Sequence, residues 1–406
     1  MSKCWLVCSR CERRQPFALR GKCRCGGTLL VAYDLELAGR TMTKEELTGR
    51  TTSMWRYLEL LPVRLTEAIV TLGEGGTPLL RLPRAEKRLA LREIYVKREE
   101  QNPTGSFKAR GFSAAVSLLK ERGIHRAAVP SNGNAASAFA AYAARGGLDA
   151  YVFVPRDCPR LIVEESMRYG AQTYIVDGLI HNASALIEEG RDEQGWFHVG
   201  TLREPGRVEG KKTMGLELAE QLGWRLPDVI VYPTGGGSGI IGLWKAFREL
   251  REMGLAEGPL PRFVSVQEAG CQPIVDAVAA GERVRPPAGP VESAPTGLRV
   301  PQPPDGDLIA EIIRRTDGTA VAVSCGEIES AAAETGREGL SSSPEGAAAW
   351  AGLLRLRSDG WLEPTDRVVV FNTAHALKYA AAEPSLAGPP LVRSYADVRR
   401  LLQARR

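Results

Sequence analysis

The sequence predicts an α/β protein with two open, mostly parallel sheets and a small cysteine-rich ribbon at its N-terminus. Three observations carry this expectation. From residue 92 onward, short apolar runs alternate with helix-length runs, the pattern of βα units around a parallel sheet covered on both faces. Polar, glycine-rich loops follow three of the strand-like runs, where open α/β sheets bind ligands. Five of the eight cysteines, Cys4, Cys8, Cys11, Cys23 and Cys25, fall within the first 25 residues.

In chain order, "CSRC" (8–11) and "CRCGG" (23–27) would form two turns converging on one ion. Four thiolates suit tetrahedral zinc, and so small a unit has little core without it. Cys8, Cys11, Cys23 and Cys25 are the expected ligands of a structural site remote from any chemistry. The second pair is C-x-C rather than C-x-x-C, so Cys4 is an alternative ligand and a metal-free ribbon an alternative state. "TLLVAYDLE" (28–36) reads as the strand leaving the ribbon, and "SMWRYLELLPV" as a short helix in a mixed connector.

Then come a strand at 93–99, a helix at 107–123 closed by Gly123, and a strand at 126–130. A polar turn and Ala-rich helix cover 131–147. Strands at 149–155 and 171–178 alternate with helices at 159–170 and 181–194. The second half continues the alternation with helix 212–223, strand 228–234, helix 240–254 and strand 262–268. The Pro- and Gly-rich stretch 285–307 is expected to be a long surface loop. Strand 320–324, helix 344–360 and strand 367–373 close the pattern.

The chain has 406 residues, enough for two or three domains. Its net charge of +5 is mildly basic, with no Lys/Arg stripe interleaved with aromatics, so nucleic acid is not implied. No apolar run approaches the roughly 20 residues of a membrane span, and "MSKCWLVCSRC" is too briefly apolar for a signal peptide. The expectation is a cytoplasmic protein in which clustered cysteines bind metal rather than form disulfides.

Only 11 lysines stand against 42 arginines. Lysine, unlike arginine, loses its proton when desolvated and becomes a nucleophile. Lys108, in "NPTGSFKARG" (102–111), follows a Pro-Thr-Gly-Ser turn; a solvated helix-start lysine is the plain alternative. "PTGGGSGIIG" leaves the backbone amides of Gly235, Gly236, Gly237 and Gly239 bare before a helix N-terminus, a phosphate cradle. Gly237, Gly239 and Gly242 with Glu268 also match a dinucleotide fingerprint, which keeps an NAD-dependent dehydrogenase as the rival from another class. "SNGNAAS" (131–137) offers Ser131, Asn132 and Asn134 to a carboxylate, with N-capping by Asn134 as the plain reading. "FNTAHALK" (371–378) puts Thr373 and His375 at a strand end. A lysine, a phosphate cradle and a carboxylate loop together point to pyridoxal phosphate (PLP) chemistry on an amino acid; a dehydrogenase uses only one of them.

These segments resemble the fold-type II PLP enzymes, most of all the threonine synthase family. "NPTGSFKARG" resembles that family's lysine motif, "SNGNAAS" its S-T-G-N-T-A loop, and "GRVEGKKT" (206–213) its H-R-L-E-G-Q-K-T segment. "FNTAHALKY" resembles T-G-H-G-L-K, and "CGGTLLVAYD" the end of a cysteine-rich ribbon found in many members. The resemblance implies a zinc ribbon over 1–35, a connector over 36–72, and two interleaving PLP subdomains over 73–210 and 211–406. It also implies roles. Lys108 holds PLP and moves protons, Asn134 bonds its ring oxygen, and Gly235, Gly236, Gly237, Ser238 and Gly239 bind its phosphate. Thr373 faces the pyridine nitrogen. Ser131, Asn132 and Gly133 hold the substrate carboxylate, Arg207 the substrate phosphate, and Lys212 matches a family lysine. The reaction implied converts O-phospho-L-homoserine and water to L-threonine and phosphate, in a homodimer. Departures touch the substrate side: Ala109 for Asp, Ala135 for Thr, G-G-G-S-G for G-N-A-G-N, and no Asn-Ser pair near "GTLREP" (200–205). They leave two alternatives, β-replacement as in cysteate synthase and β-elimination as in serine and threonine dehydratases or ammonia-lyases.

Overall fold

A computed structural model of the chain describes residues 4–289, 291, 293, 295–379 and 403. The end of the unit expected over 211–406 therefore lies largely outside the described residues.

In the ribbon, β1 (Cys4–Cys8) lies between β2 (Arg14–Pro16) and β3 (Leu29–Tyr33), antiparallel to both. Every second residue of β1 and β3 is buried, as the period-2 alternation of side chains requires. The larger sheet contains β4 (Leu79–Arg81), β5 (Glu93–Arg98), β10 (Val229–Pro233), β11 (Arg262–Glu268), β12 (Thr319–Val323) and β13 (Arg367–Asn372), in the order β12-β11-β10-β13-β5-β4. Only the edge strand β4 runs antiparallel. The smaller sheet is wholly parallel: β6 (Arg126–Pro130), β7 (Asp149–Pro155), β8 (Gln172–Val176) and β9 (Phe197–His198), in the order β8-β7-β6-β9. The smaller sheet is thus inserted in the chain between β5 and β10. The central strands β10 and β7 are buried nearly throughout, as apolar runs covered on both faces should be.

Several elements differ from expectation for local reasons. Helix Gly206–Gln221 starts six residues before the expected 212. Pro205 and Gly206 read as a turn, but the Glu204 carboxylate accepts from the amides of Gly206 and Arg207 at 2.5 and 3.0 Å and caps the helix from outside it. The helix expected over 181–194 breaks at Gly190 into Ile180–Glu189 and Arg191–Gln194. The connector helix is a 3-10 helix, Met54–Leu60. Helices Pro83–Leu89, Pro273–Ala280, Gly306–Arg315 and Cys325–Arg337 were not expected. The third of these begins inside the Pro-rich stretch read as loop, where Asp305 accepts from the Leu308 amide.

Helix Gly206–Gln221 packs against both helix Lys108–Glu121 and helix Ser238–Glu252. A fully buried ionic cluster fixes the first of these. The Arg110 guanidinium donates to Glu99 at 2.8 Å and to Glu217 at 3.0 Å, and Lys97 also pairs with Glu217. Two residues before Arg110, Lys108 is thereby held against β5 and helix Gly206–Gln221.

Candidate active site

Four loops leave the carboxyl ends of parallel strands and meet around a cavity of about 470 Å³. The turn after β5 brings Lys108, the loop after β6 brings Ser131–Asn134, the loop after β10 brings Gly235–Gly239, and Thr373 follows β13. Arg207 completes the lining from helix Gly206–Gln221. Every residue singled out for cofactor and substrate lines this one cavity. Sequence reasoning missed the contribution of the Pro-rich stretch: Thr296, Gly297, Leu298, Val300, Gln302 and Pro304 form part of the wall. No βα pattern pointed to it.

Lys108 opens its helix. The turn before it is tied to the end of β13, because the Phe107 amide donates to the Thr373 carbonyl and the His375 amide to the Gly105 carbonyl, each at 3.0 Å. Thr104 takes a left-handed φ of +64°, sparsely populated for a residue with a branched side chain. The Lys108 side chain is mostly buried and lines the cavity, with its Nζ 4.3 Å from the Phe107 ring centroid. The surrounding protein lowers its pKa to about 7; desolvation is the main cause and the Arg207 charge the second, while Glu345 opposes them. Much of this amine is therefore neutral near pH 7 and able to attack a carbonyl.

In the loop after β6, Ser131 Oγ accepts from the amides of Gly133 and Ala136 at 3.1 and 3.0 Å. That bond caps the following helix. Asn134 makes no capping bond, which overturns the plain reading of it. Its Nδ2 donates to the Tyr379 hydroxyl at 2.6 Å, and its buried Oδ1 has no partner. Asn132 Nδ2 donates to the Arg299 carbonyl at 3.1 Å, with its Oδ1 also unpartnered. Both residues line the cavity, so a molecule bound there can complete their bonding.

Gly237 has φ +70°, and a Cβ there would overlap the Ile309 side chain, so this turn admits glycine alone. The loop delivers bare amides to the N-terminus of helix Ser238–Glu252. Behind it stands Lys211, which sequence reasoning passed over. Its Nζ lies 2.6 Å from Ser238 Oγ. Lys212, the residue matched to the family lysine, faces away. It pairs with Glu209 at 2.7 Å and Glu249 at 2.8 Å, in a buried cluster that also receives the Tyr33 hydroxyl of the ribbon on Glu209. The spacing decides this: Arg207 and Lys211 are four apart and share the helix face packed on Gly111, whereas Glu209 and Lys212 are three apart on another.

Arg207 is 2% exposed. Its guanidinium has the Val199 carbonyl at 2.9 Å and the face of Phe112 at 4.5 Å, but its Nε has no partner and no carboxylate pairs with it among the described residues. Burial lowers its pKa to about 10. His198, Arg203 and Lys22 line the same end. His198 Nδ1 lies 2.8 Å from Glu188, which Arg203 also grips at 2.9 Å, while His198 Nε2 is buried without a partner. Arg207, with no carboxylate partner among the described residues, gives this end of the cavity a positive potential. Among the described residues, Glu345 is the one carboxylate in the lining; it accepts from the Gly297 amide at 3.0 Å.

The presence of Lys22 corrects the expectation of a remote ribbon. The Gly21 amide donates to the Arg203 carbonyl at 2.8 Å, and a Cβ on Gly21 would collide with the Leu202 carbonyl. The ribbon is therefore packed directly onto the cavity wall. Its thiols Cys8, Cys11, Cys23 and Cys25 lie within 4.8 Å of one another, with Cys8–Cys25 at 3.4 Å and Cys11–Cys23 at 3.8 Å. Tetrahedral Zn–S bonds of about 2.3 Å place sulfurs about 3.8 Å apart. Cys4 is outside this cluster, buried in β1.

Two other candidates do not reach the cavity. Glu268 accepts from the Gly270 amide at 3.0 Å in its own turn, and Gly242 is buried in helix Ser238–Glu252, so the dinucleotide fingerprint has no acidic partner at the glycine loop. His375 Nδ1 contacts Ser341 Oγ and the Leu377 amide, both at 3.2 Å, and shapes the turn after β13.

The cavity fits pyridoxal phosphate: a partly neutral lysine, a cradle for phosphate at a helix N-terminus, and orphaned amide oxygens beside them. Residues 70–374 match the family described as pyridoxal-phosphate dependent enzyme. The threonine synthase of Methanocaldococcus jannaschii is 35% identical over 358 residues, 88% of this chain and 88% of that protein. That of Methanosarcina acetivorans is 34% identical over 357 residues, 87% of each. Among solved structures, maize serine racemase superposes with a TM-score of 0.64 at 21% identity, covering 81% of this chain and 93% of that one. A threonine deaminase of Solanum lycopersicum gives 0.63 at 20%, covering 80% and 92%. These two likenesses concern the fold.

Proposed function

Because the chain belongs to the pyridoxal-phosphate dependent enzymes, and within them to the threonine synthases, we propose that it converts O-phospho-L-homoserine and water to L-threonine and phosphate. It is a PLP-dependent lyase. The observation that carries the reading is the convergence of Lys108, the glycine loop and the under-satisfied Arg207 on one cavity.

When bound, pyridoxal phosphate supplies an electron sink for negative charge developing next to the amino-bearing carbon. In our reading, Ser131, Asn132 and Gly133 receive the substrate carboxylate at the start of helix Ala135–Gly146. Asn134 and Thr373 hold the cofactor ring at two edges, and Gly235–Gly239 hold its phosphate. Lys108 Nζ takes a proton from substrate carbon and returns it, a role its lowered pKa suits. Arg207 grips the leaving phosphate dianion, and the loop 295–304 and the ribbon wall limit bulk water there. An eliminating enzyme acting on serine or threonine would leave Arg207 and its cationic neighbours without an anion. β-Replacement on a phosphorylated amino acid would use the same grip and differs in the incoming nucleophile.

We further assign zinc to Cys8, Cys11, Cys23 and Cys25, supported by the sulfur spacing. A cytoplasmic setting is supported by thiols left unpaired by disulfides. No described helix is long and apolar enough to cross a membrane. A homodimer is supported by exposed Tyr174 and Ile175 on the edge strand β8 of the smaller sheet and by exposed Met167 in helix Arg160–Arg168. The test of function is phosphate release from O-phospho-L-homoserine with identification of the amino-acid product. Ammonia release from serine or threonine that outpaces it would refute the proposal.

A further inference from the structure

Lys211 is an anomaly in charge terms. It is 1% exposed, yet no carboxylate pairs with it among the described residues, and its one hydrogen-bond partner is the neutral Ser238 hydroxyl. The charges nearest to it include Arg207 and Lys108, both of the same sign, and burial together with them holds its pKa well below the lysine range. The other buried lysines are treated differently: Lys97, Lys212 and Lys245 each meet a glutamate. An unpaired buried ammonium is costly, and the cost falls only when an anion arrives.

The anion's place follows from Ser238. That residue starts helix Ser238–Glu252 and ends the glycine loop, so it stands where backbone amides and the helix dipole already favour negative charge. The loop itself, G-G-G-S-G, carries no amide side chain and no cation. Phe107 links the two lysines: its ring centroid lies 4.3 Å from Lys108 Nζ and 5.5 Å from Lys211 Nζ. We propose that Lys211 is the counter-charge of the cofactor's phosphate, acting from behind the loop through Ser238. It supplies the positive charge that the loop's own side chains lack.

This inference rests on the cofactor assignment, and its test separates the two. Apoprotein of the wild type, Lys211→Met, Lys211→Gln and Ser238→Ala is titrated with PLP and with pyridoxal, which lacks the phosphate. The readout is the ratio of the two dissociation constants, with thermal melting of each apoprotein as the control for folding. In Lys211→Met the preference for PLP over pyridoxal should fall by about 30-fold or more, the usual cost of truncating one partner of a buried charge pair. Lys211→Gln should lose nearly as much, since it keeps a donor without charge, and Ser238→Ala should lose less. The Lys211→Met apoprotein should melt no lower than wild type, because a desolvated amine with no carboxylate partner has been removed. A purely structural lysine would shift both affinities together. A preference for PLP unchanged in both Lys211 variants overturns the inference alone. Wild-type protein that takes up neither probe overturns the cofactor assignment, and the inference with it.

Discussion

The backbone amide of Phe107 donates to the carbonyl oxygen of Thr373 at 3.0 Å. Through this bond the turn that carries Lys108 is registered on the residue just after β13, so residues far apart in sequence share one edge of the cavity. Replacing Lys108 by Ala should leave the fold intact and lower kcat by at least about 100-fold, the usual contribution of a positioned acid–base group. Borohydride treatment of the wild-type holoenzyme should fix the cofactor to Lys108 and to no other lysine, read by peptide mass. A label on Lys211 would contradict the assignment.

Uptake of PLP by the apoprotein should follow the protonation of Lys108. A protonated amine does not attack an aldehyde, so the rate should rise with pH and level off above about 7 rather than near the ordinary 10.5. Arg207→Ala removes the second cause of the depression and should move the midpoint upward. The same group gives apoprotein stability a sign. Between about pH 7 and 10.5 the unfolded chain holds a proton that the folded chain does not, so this contribution rises with pH across that window. Lys108→Met should flatten it in urea titrations at several pH values.

Arg207→Ala should reduce kcat/KM for the phosphorylated substrate by about 30- to 1000-fold, corresponding to about 2–4 kcal/mol for a lost charged partner. PLP should remain bound, and inhibition by inorganic phosphate should weaken in parallel. Full activity in this variant would remove the anion-binding role.

Arg110→Met should destabilise the protein by about 3–5 kcal/mol, because Glu99 and Glu217 would keep their charges without their shared partner. Urea unfolding of the apoprotein reads this directly. Adding Glu217→Gln should recover part of the loss, since the two positions are in contact and couple.

Elemental analysis of fresh protein should find one zinc per chain. Because Gly21 and Lys22 abut the cavity wall, chelation should raise KM for the phosphorylated substrate more than it lowers kcat, with ribbon unfolding seen by Trp5 fluorescence. Protein that purifies without metal and keeps a wild-type KM would exclude this.

Much of this site was legible in the sequence because its parts are short loops with distinct chemistry at strand ends. Bare glycine amides, a lysine among arginines and an Asn-rich turn each announce a ligand type without reference to packing. What stayed hidden depends on the third dimension. The wall from 295–304 has no periodicity to betray it. Glu345 is the second residue of helix Pro344–Ser358, and nothing in that helix's own pattern tells which neighbour its first turn meets. Lys211 and Lys212 are adjacent, and only the helix's rotation decides that the first faces the glycine loop and the second a buried carboxylate cluster. The early start of that helix was hidden for a related reason: its cap, Glu204, is a residue type not favoured at that position.

The insertion of the smaller sheet between β5 and β10 has a kinetic consequence. β13, near residue 370, must pair with β5, near residue 95, so the larger sheet closes only after almost all of the chain has been made. The smaller sheet is sequence-local and can form while synthesis continues, since nearby pairings close with the least loss of chain entropy. The cavity lies where the late-closing sheet meets the early one. During biogenesis the Lys108 turn thus waits for β13, and competence to take up cofactor should be the last property the nascent protein acquires.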